Sequence, residues 1–414
     1  MEGKYCQMAK KALEDVYARF WTDEDGGHIL PTHCGQVVEK PLMIWEVTML
    51  LIAMETYYDA TGDQETAGRI AGTWRYLKSV FTREQMVANF GSEPNLAVDD
   101  VGWDIMCYLM AYRFTGDDEA LEMVKTTLLG AYEHYKDGDD LRAEGLWYND
   151  WAQYNDQWKS SYIVSLLISA LEYSRITKET DKFCPELEEK TLQLCDWVEH
   201  TFRRDRVYTV ENGRKDGSPY TVDVIDHLYW IDFNKDRENR DERNGPSGGL
   251  RPHDIRELGS VSAIFANMGM AAVNVMRYEM FGDEECLRKA IQTADALEKR
   301  YDNNGAYLND RDGHTNATML RCYIHTLLGT ERTTAAQRDL LFRTAENIFA
   351  SARNCDGWYL PWWGKVVDRI PEMTPSFAQS VYGIMFNATS ATMICGAALL
   401  ESMGFRPGWE KENV

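Results

Sequence analysis

The sequence has few positive charges for its size, and this shortage limits the partners that it can have. Its 414 residues include 44 Lys and Arg against 66 Asp and Glu, which gives a formal net charge of -22 at pH 7. A surface of that sign repels the phosphate backbone of nucleic acids and the headgroups of anionic membranes. We therefore expect neither nucleic acid nor membrane as a partner, and a neutral ligand fits the charge better.

Long apolar runs and the cysteine spacings of metal sites are also missing. The longest apolar stretch, residues 41–54, is interrupted by Glu46 and is too short to span a bilayer. Residues 1–20 lack the continuous apolar core of a signal peptide. The nine cysteines are scattered, with no Cys-x-x-Cys pair and no Cys and His cluster at zinc-ligand spacing. We expect reduced thiols and a cytoplasmic location.

Aromatic residues are abundant instead. The chain has 13 Trp and 22 Tyr, more than a core of this size usually requires. Flat rings stack on the apolar faces of sugars, which is one use for them. Large helical cores also accept many Trp and Tyr side chains, so composition alone leaves both interpretations open.

A recurring unit organises the chain: a long apolar helix, a short polar turn and a second, amphipathic helix. Glycine is expected to end the first helix in a left-handed conformation, and aspartate to cap the second. A period of about fifty residues with two helices per unit indicates stacked helical hairpins. The turns are Thr61-Gly62-Asp63, Thr115-Gly116-Asp117, residues 177–181, Phe281-Gly282-Asp283 and residues 329–334.

Six such pairs predict an all-α fold, an (α/α)6 toroid in which the more apolar first helices form the inner ring. An open solenoid is the alternative, but the sequence shows no polar end caps. The toroid is predicted as a single domain over residues 1–414. The inner helices are expected at 43–59, 103–114, 162–175 and 261–280, the outer ones at 64–80, 119–135, 182–202, 284–301 and 335–353, with a sixth pair from 10–20 and 390–403.

One interval between turns is about twice the usual length, which predicts an insertion at about residues 203–255. Two β-prone runs, Arg206–Val210 and Tyr220–Ile225, flank Glu211-Asn212-Gly213 within it. This pattern is typical of a small β-hairpin. The hairpin is expected either to border a cleft or to be a surface loop.

Two adjacent aspartates, Asp99 and Asp100, stand where the chain enters an inner helix. Glycosidic cleavage needs two carboxyl groups, one to protonate the leaving oxygen and one to attack or to activate water. Neighbours at a helix start can place their carboxyl groups about 5 Å apart, the separation found in retaining enzymes. Repulsion between them leaves one protonated near neutral pH, and this chemistry needs no metal or cofactor. Aspartate is also favoured at helix starts for structural reasons alone.

The residues around this pair resemble glycoside hydrolase family 76, the α-1,6-mannanases. Asp99-Asp100-Val101-Gly102-Trp103 followed by residues 111–117 is similar to the family's Asp-Asp pair and Trp-containing inner helix, in an α/α toroid. Gly145-Leu146-Trp147 with Lys159-Ser160-Ser161 resembles the family's next block, and Ala378–Leu400 its closing helix. The resemblance implies a retaining hydrolase of α-mannosides, on α-1,6-linked mannan or manno-oligosaccharides, with Asp99 as nucleophile and Asp100 as acid/base.

Two positions depart from the family pattern. The second Trp usual after the pair is Asp104 here, and Leu258-Gly259-Ser260 stands near the place of a Tyr-Asn-Gln-Gly segment. Asp104 is either a third acid near the cleft or a hydrogen-bond partner of a neighbouring helix. Trp151 and Trp158 are further aromatic candidates. The expected substrate contacts are Trp103, Asp104, Trp147, Lys159, Trp358, Trp362 and Trp363, with interhelix packing as the alternative for the tryptophans.

Other functions remain open on the sequence alone. Unsaturated glucuronyl hydrolases share the toroid and an inner acid, but need basic residues for the uronate carboxylate, and these are scarce around Asp99. Sugar 2-epimerases use paired histidines, for which no convincing pair occurs. A non-catalytic glycan-binding protein or a helical scaffold would have no need of the paired aspartates.

Overall fold

The structure is a computed structural model, and it describes the chain with gaps. Residues outside the described ranges include most of the predicted insertion and several connections between helices. The described residues are 3–30, 32–33, 36–37, 43–87, 97–148, 158–210, 220–230, 232–234, 251–252, 264–302, 305–307, 317–353, 356–359, 363 and 383–411.

Helices dominate the described residues, as the repeat pattern predicts. Helix α12 continues into a π-helical turn over Ile324–Leu328, and α13 into another over Ile348–Ala352. In chain order the helices are α1 (Lys4–Phe20), α2 (Ile44–Thr61), α3 (Gln64–Val80), α4 (Arg83–Met86), α5 (Val98–Thr115), α6 (Asp118–Tyr135), α7 (Leu141–Glu144), α8 (Val164–Thr177), α9 (Pro185–Phe202), α10 (Ile264–Phe281), α11 (Glu284–Tyr301), α12 (Leu320–Tyr323), α13 (Ala335–Asn347), α14 (Ile384–Ser402) and α15 (Gly408–Lys411).

The strands in the described ranges are short and pair in an antiparallel manner. They are β1 (Trp21–Thr22), β2 (His28–Ile29), β3 (Thr32–His33), β4 (Gln36–Val37), β5 (Trp158–Ser160), β6 (Arg203–Val210), β7 (Tyr220–Tyr229), β8 (Asp232–Asn234) and β9 (Arg251–Pro252). Strand β1 pairs with β2, β3 with β4 and β6 with β7, while β5, β8 and β9 form a three-stranded sheet.

The glycine-aspartate turns form as predicted. Gly62, Gly116 and Gly282 adopt left-handed φ angles of 70°, 68° and 74°, a conformation that costs glycine little because it has no Cβ. Asp63 then caps α3 by accepting a hydrogen bond from the Thr66 N–H at 2.9 Å. These turns let one helix end and the next begin with little backbone strain.

The first helix of each pair is buried on all sides, and the second on one face. In α2, α8, α10 and α14 nearly every central position is buried, which is the pattern of an interior helix. In α3 and α9 the buried residues form a stripe, and the other face carries charged side chains. The predicted distinction between apolar and amphipathic helices therefore holds.

Two core helices begin earlier than the sequence pattern indicates. Helix α5 starts at Val98 rather than Trp103, so both aspartates lie inside its first turn, and α14 starts at Ile384 rather than Ser390. At α5 the Val98 N–H donates to the main-chain oxygen of Tyr148 at 2.8 Å. A distant segment thus satisfies one of the N–H groups that a helix start leaves without a partner inside the helix.

The chain divides into two compact units, and each is assembled from separate stretches. The prediction of one domain over the whole chain stays a prediction. Within unit one, α14 packs along α1 and α2, and α2 also packs on α3; within unit two, α8 packs on α9 and α10. Unit one comprises residues 1–82, 107–118 and 297–414, and unit two comprises residues 83–106 and 119–296.

Helix α14 forms the centre of unit one. In the described part of the chain it is the one helix with the length and apolar composition of a membrane span. However, 94% of that stretch is buried inside the protein. A helix that is apolar all round and covered by other helices is a core helix.

Unit one also contains a network of charged side chains at the C-terminal end of α2. Arg113 donates to Glu55 at 2.6 Å and to Asp59 at 2.5 Å. Asp59 also accepts from Arg321 at 2.6 Å and bonds to His325 at 2.8 Å. Both carboxylates are nearly buried, so the two guanidinium groups offset the cost of removing them from water.

The predicted hairpin forms within unit two. Strands β6 and β7 pair with Val210 opposite Tyr220 and Arg206 opposite Val224, while residues 211–219 are not among those described. The predicted insertion also supplies β8 and β9, which join β5 in the three-stranded sheet. This sheet lies next to Ser161, whose hydroxyl donates to the main-chain oxygen of Trp230 at 2.7 Å.

Tyr229 fixes the exit of the hairpin. Its N–H donates to Asn267 Oδ1 at 2.9 Å, and its hydroxyl donates to Glu199. Glu199 also accepts from Asn274 at 2.7 Å, and Arg203 donates to the Tyr229 hydroxyl at 2.9 Å. Burial raises the pKa of Tyr229 well above its usual value, so the hydroxyl keeps its proton. The network ties the hairpin to α9 and α10.

Candidate active site

Asp99 and Asp100 lie in the first turn of α5, within unit two. The first turn is a favourable place for carboxylates, because the helix dipole and the free N–H groups there stabilise negative charge. Val98, directly before the pair, is fixed by its bond to the Tyr148 main chain. Local helix physics therefore accounts for the position of the pair before any chemistry is considered.

The two carboxylates have different surroundings. Asp99 is 3% exposed, whereas Asp100 is partly exposed. An ionised carboxylate is costly to bury unless hydrogen bonds or charges compensate it. The main-chain oxygen of Asp99 accepts from Ser165 Oγ on α8 at 3.4 Å. Neighbouring acids in unlike environments can take different roles in acid–base chemistry.

Tyr148 interacts with both aspartates. Its hydroxyl is hydrogen-bonded to Asp99, and the charges of Asp99 and Asp100 both act on it. Desolvation of the hydroxyl, reinforced by these charges, raises the pKa of Tyr148 well above its usual value. The phenol therefore keeps its proton wherever the carboxylates ionise, and it donates to the ionised form of Asp99.

Gly102 lets α5 approach α8 closely enough to place this pair. A Cβ at Gly102 would lie 2.6 Å from the Cβ of Ser165 and 2.8 Å from the backbone nitrogen of Leu166. Ser169 Oγ donates to the main-chain oxygen of Gly102 at 3.4 Å. Only glycine fits at this crossing, which lies three residues after Asp99.

Aromatic rings continue from Tyr148 into the core of unit two. Tyr148 and Tyr162 meet edge to face with centroids 6.3 Å apart, and Tyr162 meets Phe265 at 5.1 Å. Phe265 in turn contacts Trp103 at 6.1 Å. Trp103 is 2% exposed, so its ring belongs to this packed chain, and contact between Trp103 and a substrate stays a prediction.

Lys159 and Trp147 lie against each other, and Trp147 directly precedes Tyr148 in the chain. Lys159 is 4% exposed, and its ammonium donates to Asp137 at 2.7 Å and to the main-chain oxygen of Glu144. The ammonium also lies 4.9 Å from the ring centre of Trp147 and 5.7 Å from that of Trp197. These contacts give Lys159 a packing role, while Trp147 keeps part of its surface exposed. Substrate binding by either residue stays a prediction.

The C-terminal tryptophan loop belongs to unit one. Trp358 is partly exposed and has the Arg19 guanidinium 4.5 Å from its ring centre. Trp363 is 1% exposed, and its Nε1 donates to Ser390 Oγ on α14 at 3.0 Å. Trp362 falls outside the described residues. The burial of Trp363 favours packing, and its predicted substrate contact remains untested.

The remaining candidates add little to the group around Asp99. Asp104 is partly exposed on α5, Trp158 contributes its backbone to β5 opposite Asn234, and Trp151 lies outside the described ranges. Among the residues that the structure describes, no group of three His, Cys, Asp or Glu side chains could hold a metal ion.

A Gly-x-aromatic turn occurs three times among the described residues, and the sequence predictions did not include this recurrence. It follows α6, α11 and α13, and each glycine has a positive φ, of 67°, 63° and 76° respectively. The spacing of these glycines after each outer helix is the signal that could have identified Tyr148, which directly follows the first turn. The turns are Gly145-Leu146-Trp147, Gly305-Ala306-Tyr307 and Gly357-Trp358-Tyr359. In each turn the backbone N–H of the last, aromatic residue donates a hydrogen bond. The acceptors are Tyr135 O at 2.7 Å, Thr344 Oγ1 at 2.7 Å and Asn387 Oδ1 at 2.9 Å, in that order.

Tyr359 repeats the arrangement seen at Tyr229. Its N–H donates to Asn387 as that of Tyr229 does to Asn267, and both asparagines are the fourth residue of a core helix. The Tyr359 hydroxyl donates to Asp15 at 3.2 Å, in parallel with the bond from Tyr229 to a glutamate. The same polar anchor thus precedes α10 and α14.

Several solved carbohydrate-active enzymes share the fold of this chain. The α-1,6-mannanase GH76A from a Salegentibacter species has a TM-score of 0.67 at 13% identity, covering 96% of this chain and 100% of that one. A family 76 α-mannanase from Bacteroides thetaiotaomicron gives 0.64 at 15% identity, covering 96% of each. An unsaturated glucuronyl hydrolase specific for heparin gives 0.57 at 12% identity, covering 97% and 98%.

An inactive variant of the Salegentibacter enzyme, substituted at two neighbouring aspartates, was solved in complex with α-1,6-mannotetraose. No protein-family model and no curated protein matches this chain by sequence. At such identities, likeness to solved structures establishes the fold. The predicted all-α toroid of helical hairpins with a small hairpin insertion is confirmed, and the resemblance to family 76 seen in the sequence agrees with these structures.

Proposed function

We propose that this chain is a retaining glycoside hydrolase of family 76 type that acts on α-1,6-linked mannosides, with Asp99 as nucleophile and Asp100 as acid/base. The observation that carries the proposal is the adjacent pair in the first turn of a core helix, one member buried and one partly exposed. The mannanase inactivated at two neighbouring aspartates has the same fold, which supports the assignment.

The two environments suit the two roles. The Tyr148 hydroxyl is hydrogen-bonded to Asp99, and such a donor favours the ionised form of the carboxylate. A nucleophile must be ionised to attack. Asp100 is partly exposed and can exchange its proton with water between half-reactions. Two neighbouring carboxyl groups repel each other when both are charged, and such a pair can keep one proton between its members for use as the acid.

The proposed reaction has two balanced half-reactions. In the first, a carboxylate oxygen of Asp99 attacks the anomeric carbon, the bond to the leaving oxygen breaks, and Asp100 gives that oxygen its proton. In the second, Asp100 takes a proton from water, the water oxygen attacks the anomeric carbon, and the ester bond to Asp99 breaks. Two inversions restore the α configuration of the product.

The alternatives make different demands on the site. An unsaturated glucuronyl hydrolase needs a cation free to hold the uronate carboxylate, whereas Lys159 is committed to Asp137. A glycan-binding protein would bind mannosides with equal affinity whether or not the pair of acids is present. Both alternatives are therefore tested by the same substrates and variants.

The experiment follows hydrolysis of α-1,6-mannan, an aryl α-1,6-mannobioside and an unsaturated uronide, with the product anomer assigned by NMR. We expect α-mannose ends to form first from the mannosides. Asp99→Ala and Asp100→Ala should each lower kcat/KM by about 10³-fold or more, since each removes one half of the chemistry. Activity on the uronide alone would contradict the proposal.

Azide separates the roles of the two acids. With the aryl mannobioside, added azide should yield the α-azide from Asp100→Ala and the β-azide from Asp99→Ala, because the small anion attacks from whichever side the missing group served. The reverse pattern would exchange the two assignments. Asp63→Ala is a matched control, because it removes an aspartate from the start of α3 and should cost about 1 kcal/mol of stability without loss of activity.

The cytoplasmic location expected from the sequence is also a proposal. No disulfide forms among the cysteines of the described residues, which is compatible with a reducing compartment. Short imported manno-oligosaccharides would then be the natural substrates. Fractionation of cells with an antibody against the chain tests the location, and recovery outside the cytoplasm would contradict it.

A further inference from the structure

The segment that carries Tyr148 is fixed on both sides by main-chain hydrogen bonds. The Trp147 N–H donates to the main-chain oxygen of Tyr135 at 2.7 Å, and Leu146 bridges to Lys136 in an antiparallel manner. On the other side the main-chain oxygen of Tyr148 accepts from Val98 at 2.8 Å. The backbone of Tyr148 thus connects the end of α6 to the first turn of α5.

Side-chain contacts also hold residues 145–148 in place. Gly145 packs so closely on Trp197 that a Cβ there would lie 2.5 Å from Cζ2 of the indole. The ammonium of Lys159 lies over the rings of both Trp147 and Trp197 and is bound to Asp137. These contacts restrict the backbone of residues 145–148, and therefore also the position of the Tyr148 side chain.

The ring of Tyr148 is set against Tyr162, and its hydroxyl reaches Asp99. The titratable groups beside Asp99 include Asp100 on its own helix and Tyr148 across from it, and Tyr162 in turn acts on Tyr148. The α8 residue at this contact, Ser165, does not titrate in this range. Tyr148 is therefore a hydrogen-bond donor to the proposed nucleophile that comes from outside its helix.

We propose that Tyr148 is a positioning residue for Asp99: it holds the carboxylate in the orientation for attack and favours its ionised form. This inference rests on the proposed function, because it assigns Tyr148 a task in the reaction of Asp99. Tyr148 need not touch the sugar. Its expected effect is on kcat and on the pH dependence, with little effect on KM.

Tyr148→Phe keeps the ring and removes only the hydroxyl. A donor to a carboxylate favours the charged form, so its loss should move the acidic limb of kcat/KM to higher pH by about one unit. We also expect kcat on the plateau to fall about tenfold while KM changes less than twofold. Tyr132→Phe is the matched control, because it removes a buried hydroxyl bonded to Thr191 at 2.9 Å, between α6 and α9. It should leave the pH profile unchanged.

A second measurement tests the contact without catalysis. Thermal unfolding is compared for wild type, Tyr148→Phe, Asp99→Ala and the double variant. If the hydroxyl bonds to Asp99, Tyr148→Phe should lower Tm by about 2 °C in the wild-type background and leave it unchanged in the Asp99→Ala background.

The outcomes separate this inference from the proposed function. An unshifted pH profile for Tyr148→Phe, or equal Tm changes in both backgrounds, overturns the positioning role. A wild-type protein that cleaves none of the mannosides overturns the proposed function and the catalytic task of Tyr148, while the Tm comparison still decides whether the contact exists. A shifted limb together with background-dependent Tm supports the proposal.

Discussion

Replacing Gly102 with alanine inserts a methyl group into the closest approach of α5 and α8. The added carbon would lie 2.6 Å from the Cβ of Ser165 and 2.8 Å from the backbone nitrogen of Leu166, so both the Ser165 side chain and the neighbouring backbone must move. Overpacking of this kind costs about 1 to 3 kcal/mol. Alanine regains about 0.5 to 1 kcal/mol over glycine inside a helix. We expect a net loss of up to about 2.5 kcal/mol.

Gly68→Ala is the matched control, because Gly68 is also inside a helix but has nothing within 4 Å of an added Cβ. It should stabilise the protein by about 0.5 to 1 kcal/mol. Urea unfolding of both variants gives the two free energies of unfolding. Gly102→Ala should also lower kcat, since α5 must shift near Asp99, whereas Gly68→Ala should not. A Gly102→Ala protein as stable as Gly68→Ala would refute the close-packing argument.

Two further predictions concern buried charges. Lys159→Met leaves Asp137 without its cation in a poorly exposed position and should cost about 3 kcal/mol in urea unfolding; a loss below about 1 kcal/mol would contradict this. Burial alone would raise the pKa of Asp59, but His325, Arg321 and a second arginine hold it well below its usual value. The folded-state pKa is therefore depressed, so the stabilising contribution is complete above the unfolded pKa near 4 and declines as the pH falls below it. Asp59→Asn should destabilise the protein at pH 7, and its unfolding curve should converge with that of wild type in acid; a constant difference would contradict the argument.

The bounds of helices are predictable where the local sequence marks both ends. Gln64–Val80 and Glu284–Tyr301 occur as the pattern predicts, because a glycine ends the preceding helix and an aspartate starts the next. Helix α9 starts at Pro185, slightly later than expected. Proline is favoured in the first turn of a helix, where its missing N–H is not needed.

The start of α5 shows what local sequence cannot reveal. Aspartates at a helix start are expected as caps, outside the helix, yet Asp99 and Asp100 lie inside the first turn. The deciding bond comes from Tyr148, about fifty residues along the chain, and no local pattern encodes it. The adjacent acids are predictable from sequence, and the Gly-x-aromatic turn marks the position of Tyr148, whereas the pairing of Tyr148 with Asp99 is not predictable. The close approach at Gly102 likewise depends on which helix packs against α5.

The paired anchors at Tyr229 and Tyr359 carry a consequence for how such a chain can diversify. Strands β6 and β7 precede Tyr229, and an isolated bridge joins Arg353 to Tyr359, yet both tyrosine N–H groups bond to an asparagine at the same helical position. The path between consecutive hairpins can therefore lengthen or shorten while the helix that follows keeps its place. The connections before α10 and α14 can then change in length during evolution while the two helices stay in position.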